Sequence, residues 1–434
     1  MVGKISSRLG IFVFYDREGK ADRYVCNLLA ELRKNVDVLI LVSNGLLNRD
    51  AQEILSPYCD EIFVRENHGL DAAAFKEALI TFCGWKYVQS YDEIVLVNDT
   101  FYGPVVSFQK IFEEMENENV DFWGLSAGYC ADDGFQKVRY GYIPDHIQTF
   151  FVVFRKNMVC STAFREYWNQ YDDTRDDFVD VVTQHEMVMT KYFEDRGFRW
   201  AVYANIDRYR SQFNSENFNI YHFRPYKMMR ELKFPVLKRK VFNLDIPNQL
   251  YMCDIEEPAE ALHYLEAETD FDTAMIWENI LRIYNISDIY YSLHLNYILS
   301  KDSAAADLKK AAVIVRICDQ RYKEELWKTL MALPEELDVY LIWDCETKLE
   351  MTLPESVKIL PASNQRTAMG TFVLHGQKIA EKYEYLCFVH DFKNPDHVPP
   401  TVDESALYAV IQNMILNGNY ISQVLNCFET HPQL

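Results

Sequence analysis

Apolar positions along the N-terminal part of the chain fall into short continuous runs separated by stretches of helical spacing. Leu9–Tyr15 is apolar throughout and of strand length; Ile94–Val97 repeats that character, and Val36–Val42 and Glu61–Arg65 are strand-length runs that are mostly apolar. Between them Tyr24, Leu28, Leu29 and Leu32 recur at helical spacing, Ala51–Leu55 predicts a short helix, and Ala74, Phe75, Ala78, Leu79 and Phe82 form one face of another. Unbroken apolar runs are the mark of strands buried on both sides, and their alternation with helices predicts a mostly parallel sheet covered on both faces. Beyond Pro104 the pattern continues with a helix at Phe108–Met115 and strands at Phe122–Ser126 and Phe150–Phe154. Helices at Thr162–Tyr171 and Val179–Asp195 and a strand at Arg199–Tyr203 follow.

The polar residues that interrupt this pattern matter most at one place. The run Ile94-Val95-Leu96-Val97 ends abruptly in Asn98-Asp99-Thr100, with Gly103-Pro104 after it. Polar groups at the carboxyl end of a buried strand lie where open α/β sheets bind ligands. A carboxylate there either holds a divalent metal against a phosphate or caps the turn, and the sequence leaves both readings open. Just upstream, the Gly-containing turn Asn67-His68-Gly69-Leu70-Asp71 opens a helix.

From Glu256 to Leu299 helical spacing predominates, and Lys301–Lys309 reads as a linker. A second α/β pattern then begins, with strands at Ala311–Ile317, Val339–Trp343, Val357–Leu360 and Leu386–His390 and helices at Tyr322–Leu330 and Met369–Ala380. It copies the first: Tyr91–Asp99 aligns with Tyr383–Asp391, and the Asn67 turn with Asn364–Ala368. Arg366 and Ala368 stand in the copy where the first unit has Gly69 and Asp71. The expected organisation is a first domain over 1–250, a helical connector over 251–308, and a degenerate, incomplete second unit over 309–434.

Composition narrows the function. At 49% hydrophobic and 25% charged the chain can bury full cores. A net charge of −21 argues against nucleic acid as a partner. The ten cysteines are scattered without C-x-x-C or zinc spacing, as in a cytoplasmic protein with reduced thiols, and no leader or membrane-spanning segment is expected. Against the acidic background, Arg224–Lys240 holds seven cations and one acid, Glu231. Such a segment binds a diphosphate, meets an anionic membrane as a peripheral contact, or is a solvated face.

Several stretches in order resemble the rhamnan synthesis protein F family of bacterial glycosyltransferases. They are Arg65–Asp71, Val97–Pro104, His146–Phe151, Phe234–Lys240, Ile276–Leu281 and the strand end His390-Asp391. The resemblance implies a GT-A-like, Rossmann-like fold. It also implies transfer of a sugar, rhamnose from dTDP-rhamnose, onto a growing cell-wall or surface polysaccharide. Asn98-Asp99 stands where such folds carry Asp-x-Asp, and the second unit lacks the Asn-Arg-Gly-Arg-Asp turn of the family.

Under that resemblance the expected partners are a nucleotide-sugar donor and a polysaccharide or lipid-linked acceptor. Asn67, Gly69, Asp71, Asn98, Asp99, Lys238, Arg239 and Lys240 would contact the donor. Asp99, with His222, would hold Mg²⁺ or Mn²⁺. His146 and Gln148 would touch a sugar, and Glu186 would be the general base of an inverting reaction. Each also has a structural reading: Glu186 is an acid near a helix start, His146 a satisfied histidine, and aromatics such as Phe101, Phe150 and Trp168 are core. Two other classes compete: a non-catalytic scaffold that binds glycan or partner enzymes, and a nucleotidyltransferase, for which Asp16-Arg17-Glu18-Gly19 is a poor phosphate loop.

Overall fold

The computed structural model describes residues 5, 7–207, 219–243, 257–293, 299, 306–363, 367–391 and 400–431, with backbone only at 291 and over 400–406. The expected turn at Asn364–Arg366 and the start of the expected linker at Lys301 lie outside the described residues. The chain forms two compact units, Met1–Leu295 and Asn296–Leu434.

The first unit is built on a seven-stranded sheet. Its strands lie in the order Trp200–Val202, Phe122–Gly124, Phe151–Arg155, Glu93–Asn98, Arg8–Phe14, Val38–Asn44, Glu61–Arg65. Pairing is parallel except at Phe151–Arg155, which runs antiparallel to both its neighbours. Alternate residues of the apolar runs serve opposite faces, as the pleat requires. Leu9, Ile11, Val13, Ile94 and Leu96 pack under the helices Leu70–Glu77, Thr162–Gln170 and Met187–Glu194. Phe12, Phe14, Val95 and Val97 pack under Arg23–Arg33 and Phe108–Glu116.

The segment expected as a separate connector belongs to this unit. Ala261, Leu262 and Leu265 of the helix Glu257–Glu268, and Ile276 and Ile280 of Ala274–Ile283, lie in the same core as Phe12 and Val97. Polar contacts fix the second helix to Tyr102 and to the loop after the first strand. Asn279, fully buried, accepts from Tyr102 Oη at 2.6 Å, while Arg282 pairs with Asp16 and with Asp22, the latter at 2.7 Å. The expected boundary at 250 therefore falls inside a compact unit.

The second unit has a four-stranded, all-parallel sheet in the order Val357–Leu360, Asp338–Trp343, Ala311–Ile317, Tyr385–His390. Numbered by sequence this is third, second, first, fourth, the same order as Glu61–Arg65, Val38–Asn44, Arg8–Phe14 and Glu93–Asn98 in the first unit. The internal repeat is thus one of topology. No helix among the described residues is long and apolar enough to cross a membrane.

Candidate functional site

The carboxyl end of the central strand Glu93–Asn98 gathers half of the residues singled out from the sequence. Asn98 donates its amide to Asp71 Oδ2 at 2.6 Å, and its Oδ1 accepts from the Thr100 backbone and hydroxyl. Asp71 reaches this point because the helix Leu70–Glu77 starts there. Burial raises the Asp71 pKa above the usual carboxylate range, and Glu186 contributes to the rise.

Asp99 is 5% exposed. Its Oδ2 lies 3.0 Å from Arg239 Nη1 and accepts from Tyr24 Oη at 3.2 Å; the Tyr15 backbone N–H also supports the carboxylate. Burial raises its pKa, against the pull of Arg239. Burial would lower the Arg239 pKa, but Tyr24 and Asp99 more than offset that, and the guanidinium is held charged.

The basic segment reaches the site through a short antiparallel ribbon in which Lys238 stands opposite Phe101 and Leu237 opposite Tyr102. Lys238 is 8% exposed. Its Nζ donates to Thr100 Oγ1 at 3.0 Å and lies 3.6 Å from the centre of the Phe150 ring. Burial pulls its pKa down to about 8, although Glu186, Asp71 and Asp99 favour the charged form.

Glu186 closes the other side. It ends a single wide turn, Val182–Glu186, inside a longer helical stretch, and such turns recur at functional sites. Its Oε2 accepts from the Thr149 backbone N–H at 2.8 Å and hydroxyl at 2.9 Å. The segment that presents Thr149 is braced from below, where Ile147 N donates to Thr190 Oγ1 and Ser126 Oγ donates to Gln148 Oε1.

Other expected residues lie differently. His146 and Gln148 are both buried and spent on internal bonds. The His146 ring hydrogen-bonds Pro144 O at 2.8 Å and lies so close to Gly128 that a Cβ there would be 2.4 Å from Nε2. Gly69 has φ 62° and donates its N–H to Asp176 Oδ1 at 2.7 Å, while Asn67 is exposed. Lys240 is exposed, with Nζ 5.6 Å from the Phe178 ring centre. His222 sits in the short helix Ile220–Phe223; among the described residues its Nε2 is buried without a partner, and burial plus the Lys238 and Lys240 charges push its pKa well below 6.5.

A divalent cation fits this donor set poorly. The Asp99 charge is committed to Arg239, the charges that act on His222 are those of Lys238 and Lys240, and the carboxylates of Asp71 and Glu186 act on the Lys238 ammonium. Among the described residues no group of three or more His, Cys, Asp or Glu side chains is placed to hold a metal. Sequence reasoning missed Tyr24, Thr100 and Thr149, single hydroxyls that carry no pattern. It left Arg224–Lys240 open as a diphosphate site, a membrane contact or a solvated face. In the structure Lys238 and Arg239 turn inward and Arg224 pairs with Glu257 at 3.9 Å, while Arg230, Lys233 and Lys240 remain exposed. Of the aromatics, Phe101, Phe151 and Trp168 are wholly buried core.

The carboxylates Asp71 and Asp99 and the cations Lys238 and Arg239 thus stand buried at the carboxyl end of the central strand, where open α/β sheets bind ligands. The rhamnan synthesis protein F family matches residues 39–434, and the chain belongs to that family. It is 24% identical to the uncharacterized protein y4gN of Sinorhizobium fredii over 50% of this chain and 54% of that one. It is 26% identical to the virulence protein VirA of Vibrio anguillarum over 54% of this chain and 68% of the relative. The chain therefore spans about half the length of y4gN.

Among solved structures, the glycosyltransferase GlyE of Streptococcus pneumoniae aligns over 94% of this chain and 99% of its own, at 11% identity and TM-score 0.24. Core-mannan synthase A of Aspergillus fumigatus, in a Mn/GDP form, aligns over 40% and 68%, at 11% identity and TM-score 0.23. A cytidylyltransferase of Leptospira borgpetersenii aligns over 65% and 97%, at 12% identity and TM-score 0.28. Likenesses this slight carry no argument about this chain.

Proposed function

We propose that the protein is a glycosyltransferase of polysaccharide synthesis. It moves a sugar, rhamnose from dTDP-rhamnose, from a nucleotide donor to a growing cell-wall or surface polysaccharide, free or lipid-linked, at the cytoplasmic face of the membrane. The observation that carries this reading is the meeting of Asp71, Glu186, Lys238 and Arg239 at the carboxyl end of one strand, in a member of a rhamnan synthesis family.

Transfer needs a base for the acceptor hydroxyl and positive charge for the departing diphosphate. Glu186 takes the acceptor proton. The freed oxygen forms a bond to the sugar's anomeric carbon from the face opposite the leaving group, which inverts the configuration. The anomeric C–O bond to the diphosphate breaks, and its electron pair leaves with the diphosphate. Thr149 orients Glu186 for this step, with two bonds to one carboxylate oxygen. Asp71 and Asn98 hold the donor sugar or nucleotide.

The test is transfer and donor hydrolysis by the purified protein with a panel of nucleotide sugars, run beside Glu186→Gln. The variant is expected to bind donor as the wild type does and to lose about 10²–10⁴-fold in rate, the usual weight of a general base. Full activity of the variant would remove Glu186 from the role. Donor binding with no transfer to any acceptor, in wild type as well, would leave a glycan- or partner-binding scaffold.

A further inference from the structure

The two residues expected to hold a metal are placed as if for another purpose. Asp99 has a counterpart in the second unit. Asp391 is 2% exposed and accepts from the backbone N–H groups of Cys318 and Asp319 at 2.8 and 2.7 Å, immediately after the strand Ala311–Ile317. Asp99 is supported by the N–H of Tyr15, immediately after the strand Arg8–Phe14. An aspartate at the end of the fourth strand that ties down the end of the first is therefore a feature of both sheets. It persists in the second unit, where Ala368 stands in place of Asp71. That pattern is architectural, and Asp99 Oδ2 accepts from Arg239 and Tyr24.

What the site does have to spare is donors. Lys238 Nζ has three N–H groups and uses one on Thr100 among the described residues. Among the described residues, Arg239 Nε and His222 Nε2 are buried with no hydrogen-bond partner. His222 donates in its Nε2–H tautomer, its helix Ile220–Phe223 packs against the Leu237–Lys238 strand, and the charges of Lys238 and Lys240 act on it. Buried donors without acceptors are costly and point to a group that is missing. The group that satisfies several buried N–H donors and two cations at once is a multiply charged oxyanion.

We propose that the donor's diphosphate binds directly to Lys238, Arg239 and His222, and that binding requires no divalent cation. This rests on the glycosyltransferase reading and deepens it. Asp99 acts as a positioning residue that holds Arg239, and Lys238 supplies the charge that a metal supplies elsewhere.

The experiment is calorimetric titration of the full chain with dTDP, UDP and GDP, each with Mn²⁺ and with EDTA, repeated on Lys238→Met. One nucleotide is expected to bind with the same Kd, within about twofold, in EDTA and in Mn²⁺. Lys238→Met is expected to weaken it about ten- to a hundredfold, the weight of one charge-assisted contact. Binding that appears only with Mn²⁺ would overturn the inference and leave the glycosyltransferase reading standing. Binding in EDTA that Lys238→Met leaves unchanged would overturn it too. Absence of binding by every nucleotide under both conditions would instead remove the glycosyltransferase reading, and this inference with it. The comparison of EDTA with Mn²⁺ needs no variant, so a Lys238→Met protein that fails to fold does not obscure the result.

Discussion

His185 precedes the proposed base and faces the other way, into a nest of aromatic rings. It is 3% exposed, hydrogen-bonds the Tyr167 hydroxyl through Nδ1 at 2.9 Å, and lies 5.3 Å, ring centre to ring centre, from both Trp168 and Tyr171. Burial pulls its pKa down to about 3 from 6.5. The folded form therefore refuses a proton that the unfolded chain accepts near 6.5, so stability is full above that value and falls as the pH drops below it. Between neutral pH and about pH 5 the loss from this one group is about 2 kcal/mol. Urea midpoints at both pH values should show it, and His185→Phe should lose less by that amount. Equal losses in the two proteins would mean that His185 titrates normally. At this scale the sequence was informative where residues cluster. Asn98-Asp99, Asp71 and Lys238-Arg239 each stand in a short run of unusual chemistry, and the structure brings them together. Tyr24 and Thr149 do their work across long sequence separations with a single hydroxyl, and nothing local marks them.

Gly69 shows what an element adds. It opens the helix Leu70–Glu77 with φ 62°, and a Cβ there would stand 2.5 Å from Ala73 Cβ and 2.6 Å from the Asp173 carbonyl oxygen. The glycine lets the loop around Asp173–Asp176 close over the helix start, where Asp176 takes its N–H and Tyr171 and Val181 cover Ala72. Gly69→Ala must strain the backbone or push that loop away, at a cost of about 1–3 kcal/mol. The checks are a lower melting temperature and faster proteolytic cleavage near Asp173; an unchanged melting curve would contradict the close approach. A glycine in a polar turn is visible in sequence, but the loop that presses on it is about a hundred residues away. The same limit applies to Phe151–Arg155. Its apolar run predicts a buried strand, and direction leaves no trace in such a run. The Glu257–Glu268 and Ala274–Ile283 helices were likewise legible as helices, whereas their place in the first core depends on partners such as Phe12 and Tyr102.

Across the whole molecule the two sheets share a strand order and a terminal aspartate but differ in what surrounds it. At Asp99 stand Arg239, Tyr24 and, through Asn98, Asp71; at Asp391 stand Cys318 and Asp319. The alignment of Tyr91–Asp99 with Tyr383–Asp391 made the repeat legible, because a buried strand followed by a fixed acid is a pattern that survives divergence. The loss of the site's partners in the copy was legible only in part, through Arg366 and Ala368. If Asp391 is architectural, Asp391→Ala leaves the N–H groups of Cys318 and Asp319 without their acceptor, each worth about 1–3 kcal/mol when buried. Hydrogen exchange should then quicken at least tenfold in Ala311–Ile317 and stay unchanged in Arg8–Phe14, and the affinity for nucleotide should be that of the wild type. Adding the nucleotide should slow exchange in Phe101–Tyr102 and Leu237–Lys238 and leave Tyr385–His390 as it was. Protection of Tyr385–His390 by nucleotide would assign a working donor site to the second sheet and break the argument that only the first retains one.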